Sequence, residues 1–142
     1  MKGKSIVQEI GRLMLVVCLL VVMSFMASPA WAQPSGQISP DMMAIQGRWV
    51  RTDAPYMIEL SHAGDGSLQA AYYNPRPIHV ATTETAEQDG LLQVMIELWD
   101  VNYPGSTYLL TYDRARDFLG GYYVLPESQQ TFEVFFVRQV SE

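Results

Sequence analysis

His62 and His79 are the first residues to weigh, because imidazole is the side chain best placed to bind a metal or move a proton near neutral pH. They fall in different predicted strands, with no second histidine or cysteine at ligand spacing, so no metal site is expected. Glu59, Glu97 and Glu133 would offer paired carboxylates for acid–base work if they faced inward. Each alternates with apolar neighbours, and that alternation turns it toward solvent. Ser67 follows Gly64-Asp65-Gly66, which lacks both the glycine spacing and the following helix of a nucleophile elbow or phosphate loop, and reads as a hairpin turn. No catalytic constellation results. The chain is expected to be no enzyme and to use no cofactor.

Recognition chemistry is better represented. Asn74-Pro75-Arg76-Pro77 is stiff, because each proline fixes its own φ and pushes the residue before it toward extended geometry. Arg76 is thereby held out, either free for recognition or paired with Asp100 or Asp53. The segment Asp100-Val101-Asn102-Tyr103-Pro104-Gly105-Ser106 is expected to be the longest interruption between strands, with Tyr103-Pro104-Gly105 in a type II turn. Tyr56, Tyr72, Tyr73, Tyr108, Tyr112, Tyr122 and Tyr123 combine apolar area with an orienting hydroxyl, the composition of a polar-aromatic cavity or of ordinary core filling. The candidate binding residues are Tyr72, Asn74, Arg76, Asp100, Asn102, Tyr103 and Tyr108. Their expected partner is a small apolar or aromatic ligand. The alternative is an extracytoplasmic protein, for instance an enzyme inhibited by insertion of the rigid 74–77 loop.

The elements that must position these residues are strands. Eight segments rich in aromatic and branched residues, 48–51, 56–62, 68–74, 78–84, 91–100, 107–113, 118–125 and 131–138, are separated by turn signals short enough for hairpins. Consecutive hairpins describe an up-and-down meander, and eight strands can close on themselves and remove their edges. The expected fold is all-β, an eight-stranded antiparallel barrel with a sandwich as the alternative. A short helical turn at 40–45 precedes it. Leu92, Val94, Ile96 and Leu98 share one face of their strand. In the last strand Phe135 and Val137 lie opposite Phe132, Val134 and Phe136, so that side is expected to pack on the leader or a partner. A meander also sorts its loops. Tight charged turns fall at one end, expected to be sealed, and all four proline-bearing loops fall at the other, expected to be the mouth.

Gly47-Arg48-Trp49 at the start of the first strand resembles the Gly-x-Trp signature of lipocalin-like (calycin-type) barrels, and Arg138 lies near the end of the last strand. The resemblance implies barrel closure by Gly47, Trp49 and Arg138, with the guanidinium over the indole face. The chain also resembles a group of uncharacterised secreted bacterial proteins carrying Tyr-Asn-Pro-Arg-Pro-Ile and Asp-Val-Asn-Tyr-Pro-Gly-Ser-Thr-Tyr, here 73–78 and 100–108. That likeness implies no activity.

Residues 1–32 read as an export signal: Lys2, Lys4 and Arg12, then an apolar run, then Ala30-Trp31-Ala32, with cleavage expected after Ala32. The expected location is the periplasm or the medium. A flexible leader with the helical turn, 33–44, and a single barrel domain, 45–140, follow. Cleavage would remove Glu9, Lys2, Lys4 and Arg12, leaving 14 acids against 6 arginines and a net charge of about −8. So acidic a chain has no footprint for nucleic acid or anionic lipid, and without the signal it has no stable membrane anchor. Cys18 and both lysines also leave with the signal, which excludes disulfides, thiolate ligands and Schiff-base chemistry from the mature chain.

Overall fold

The structure, a computed structural model, describes residues 38–140; the predicted signal, its cleavage site and the leader up to Gln37 lie outside the described residues. The described chain opens with one short helix, α1 (Pro40–Ala44). Ser39 caps it, its hydroxyl accepting the Met42 N–H at 3.2 Å, and Pro40 occupies the first turn, where a missing N–H costs nothing. Nine strands follow: β1 (Gly47–Arg51), β2 (Met57–His62), β3 (Leu68–Asn74), β4 (Arg76–Ile78), β5 (Val80–Gln88), β6 (Leu91–Asp100), β7 (Tyr103–Asp113), β8 (Phe118–Leu125) and β9 (Gln130–Arg138).

All nine form one antiparallel sheet in the order β4-β3-β2-β1-β9-β8-β7-β6-β5. A single continuous sheet replaces the sandwich alternative. Its two edges, β4 and β5, are consecutive in the chain, so the sheet curls round into a nearly closed barrel. First and last strands meet, with Trp49 opposite Arg138 and Val50 opposite Val137.

The ninth strand arises because the predicted fourth is broken at His79. Pro77 has no N–H to continue the ladder, and the His79 backbone turns to β6 instead: its carbonyl accepts the Trp99 N–H at 3.0 Å, and its own N–H reaches Asp100 Oδ2 at 3.3 Å. A register shift between Val80 and Thr82 then carries β5 away from β3. The seam left between them is bridged by the Ala70 N–H donating to Thr83 Oγ1 at 3.2 Å.

The expected long loop at 100–106 is corrected by the structure. β6 and β7 run on almost to their junction, Asp100 pairs with Tyr103, and only Val101 and Asn102 form the turn. Tyr103 and Pro104 are strand residues, and the positive φ of Gly105, 76°, accommodates a bulge under the Trp99 ring rather than a type II turn.

The inward faces of every strand pack one core. Trp49, Ile58, Ile96, Leu98, Tyr108 and Phe136 are wholly buried within it. One end is closed by α1 and the chain leaving it. Ile45 is fully buried, its carbonyl accepts the Trp49 indole N–H at 2.9 Å, and the His62 Nε2 lies 2.8 Å from the Met42 carbonyl.

Candidate functional site: the tyrosine-lined end and the outer wall

At the closed end Arg138 is the organising cation. Its guanidinium carbon stands 4.3 Å from the Trp49 ring centroid, its Nε and Nη2 grip Asp117 at 2.6 and 2.7 Å, and it donates to the carbonyls of Ala44 and Gln46. The same ion pair holds the Asp117 carboxyl below its ordinary range. Gly47 has φ 130°, and a Cβ there would come within 2.6 Å of Arg138 Nη1, so glycine is what lets the arginine lie across the strand. Gly47, Trp49 and Arg138 are thus brought together, and Asp117 with them. Alternation could not have found Asp117, which sits in a turn at φ 49°.

The opposite end gathers tyrosines. Tyr72 on β3 and Tyr108 on β7 share a hydroxyl–hydroxyl hydrogen bond of 3.1 Å in the interior. Tyr123 stacks on Tyr108 at 4.5 Å between centroids, Tyr103 meets Tyr72 edge-on at 6.1 Å, and Tyr56 meets Tyr72 at 6.4 Å. The Asn74 amide donates to the Tyr103 hydroxyl, which pins Tyr103 against the rim of the barrel. Burial pushes the Tyr108 hydroxyl up to about 12 and raises that of Tyr72 as well. Both therefore stay protonated at physiological pH and act as hydrogen-bond partners rather than bases. Of the remaining tyrosines, Tyr112 belongs to the closed end, bonded to Asp117 at 3.1 Å, while Tyr122 points outward.

Arg51, two residues beyond Trp49 and so on the same inward face, enters this cluster. It lies 5.3 Å from the Tyr56 centroid and is held by both oxygens of Asp53 at 2.6 and 2.9 Å. The two-residue period from Trp49 was the signal for it. Arg76 stays outside: it is exposed and reaches Asp100 across 3.6 Å. Asp100 is engaged by the Val101 N–H at 2.7 Å and by the His79 N–H, which lower its pKa. Asn102 lies on the far side of the turn, beside Pro104, Ser106 and Pro126, on a rim cleft of about 150 Å³. Tyr72, Asn74, Tyr103 and Tyr108 thus form one cluster, Arg76 and Asp100 a second, and Asn102 a third place. Among the described residues no group of His, Cys, Asp and Glu is arranged to hold a metal.

The outer wall is less ordinary. Register places Glu84, Met95, Leu109, Tyr122 and Glu133 side by side across five strands, all pointing away from the core. Leu109 is 45 % exposed and Tyr122 53 %. Glu84, Met95, Leu109 and Tyr122 border, with Ala86, Gln93 and Thr111, a cleft of about 300 Å³. The apolar surface continues to the next rows, where Phe118 and Phe135 stack at 5.4 Å over Gly120 and Val137 is half exposed. Alternation in β9 had marked Phe135 and Val137; the row through Leu109 needed the cross-strand register, which alternation alone does not supply. No family model, no curated protein and no solved structure matches this chain, and the geometry alone carries its functional reading.

Proposed function

We propose that this is an exported, non-catalytic binding protein whose working surface is the outer wall of the barrel rather than its interior. The observation that carries the reading is a pairing of opposites: an inside packed with tyrosines and aliphatics, and an apolar row left in solvent outside. Water-exposed apolar area of this continuity costs solubility unless something covers it. The interior, by contrast, offers two ionisation-resistant phenols already satisfied by each other. The protein-partner alternative is thereby favoured over an internal ligand.

The test is a photo-crosslinking residue placed in turn at Leu109, on the wall, and at Tyr103, at the rim, in cells that make the protein. A specific protein adduct at 109 and none at 103 is expected. Adducts at 103 alone, or at neither position, would remove the reading. A second reading, a small ligand at the mouth, is favoured by one observation, the rim cleft beside Asn102 and Pro104. There Asn102→Ala and Pro104→Ala would weaken the ligand while leaving the wall unaffected.

A further inference from the structure

The wall is charged on one side only. The five strands β5 to β9 carry six carboxylates, Glu84, Glu87, Glu97, Asp100, Asp113 and Glu133, and a single basic residue, Arg138, which is committed to the closed end. The other five arginines of the described residues lie on β1, β4 or the turns, and all of them, Arg48, Arg51, Arg76, Arg114 and Arg116, already face an acid, Glu59, Asp53, Asp100, Asp41 and Asp113 respectively. Within the exposed row itself the order is acid, apolar, apolar, aromatic, acid. Neighbouring strands are about 4.8 Å apart, so four intervals, about 19 Å measured along the curved sheet, separate the strands that carry the two carboxylates. Glu84 and Glu133 are both exposed and enter no ion pair among the described residues.

We infer that this row is the docking site for a segment of a partner protein that presents an apolar face bracketed by two cations. This rests on the outer-wall reading and names the partner's chemistry. The apolar centre alone would accept many occupants. The carboxylates decide between them: they oppose an anionic membrane or nucleic acid, and a second copy of this acidic wall would set like charge against like.

Three synthetic helical peptides of 16 residues provide the probes: one with a leucine face and a lysine near each end, one with the same face and glutamates at those ends, and one with the lysines and a glutamine face. Titrated into the ¹⁵N-labelled exported chain, the lysine–leucine peptide is expected to shift the amides of Met95, Leu109 and Tyr122, and the other two to bind about tenfold more weakly, the glutamate-ended one because it loses two exposed charge pairs and the glutamine-faced one because it loses the apolar contact. Glu84→Gln with Glu133→Gln should erase the preference for lysine over glutamate ends, and Leu109→Ser should weaken every peptide. Equal binding of the lysine and glutamate peptides, shifts confined to the β3–β5 seam or the tyrosine end, or a concentration-dependent dimer that buries Leu109 would each overturn the inference. If the peptides fail while the crosslinker at 109 still captures a protein, the partner chemistry is wrong and the outer-wall reading stands. If both fail, the reading falls with it.

Discussion

The hydroxyl pair of Tyr72 and Tyr108 shows how much depends on satisfying a buried polar group. Removing one hydroxyl strands the other, so Tyr108→Phe should cost about 1–3 kcal/mol, whereas Tyr72→Phe with Tyr108→Phe should cost less than the sum of the two single changes. Urea unfolding of the three variants measures that coupling directly. Arg138 carries a larger set of contacts, and Arg138→Ala should destabilise by about 2–4 kcal/mol, since it leaves the carbonyls of Ala44 and Gln46 without their donor and Asp117 without its cation. Arg138→Lys should recover only part of this, because a point charge cannot grip the carboxylate, reach the carbonyls and cover the indole at once. The ion pair also sets an acid limb. The folded pKa of Asp117 lies below its ordinary 3.8, so its stabilisation is complete above that value and is lost as pH falls through the folded one. Tryptophan-monitored unfolding should therefore lose stability below about pH 4, and Asp117→Asn should be weaker at neutral pH and flatter across that range. Equal slopes for parent and variant would assign the acid limb to other carboxylates.

At the scale of elements the barrel is only as closed as its seam. Ala70 N–H and Thr83 Oγ1 stand where a ladder would otherwise be, so Thr83→Val should speed hydrogen exchange at Ala70 and its neighbours while amides of β6 and β7 stay protected. At the opposite junction Gly47→Ala should destabilise by about 1–3 kcal/mol, because the new Cβ combines an unfavourable φ with displacement of the arginine. Most of this architecture was legible in the chain. Period-two alternation in 92–98 and 132–136 assigns the faces, and the hairpin turns order the strands, so the first and last had to meet. Two features were not. Proline at 77 signals a broken ladder, but whether the strand resumes depends on Asp100 and Trp99, which are distant in sequence. Tyr103-Pro104-Gly105 has the composition of a turn, yet pairing with Trp99 and Asp100 on β6 overrides that local preference and turns Gly105 into a bulge.

At the scale of the whole barrel, the described residues pack aromatic and aliphatic side chains inside and leave an apolar row in solvent on one wall outside. The tyrosine cluster illustrates why the site was only half legible. Sequence brings Tyr72, Tyr103 and Tyr108 to one end, but whether they line a cavity or fill it depends on ring packing, and here Tyr123 stacks on Tyr108 while Asn74 holds Tyr103 in place. Charge adds the complementary asymmetry, since the arginines are drawn to one flank and the two ends while β5 to β9 keep their acids. The filled interior is the claim on which the rest depends, and xenon tests it most directly, because the gas enters dry apolar cavities and shifts the methyls that line them. Under pressurised xenon the methyl resonances of Ile58, Ile96, Leu110 and Val134 should stay where they are. Saturable shifts of those methyls would reveal an open cavity inside the barrel, and would return the binding site from the outer wall to the core.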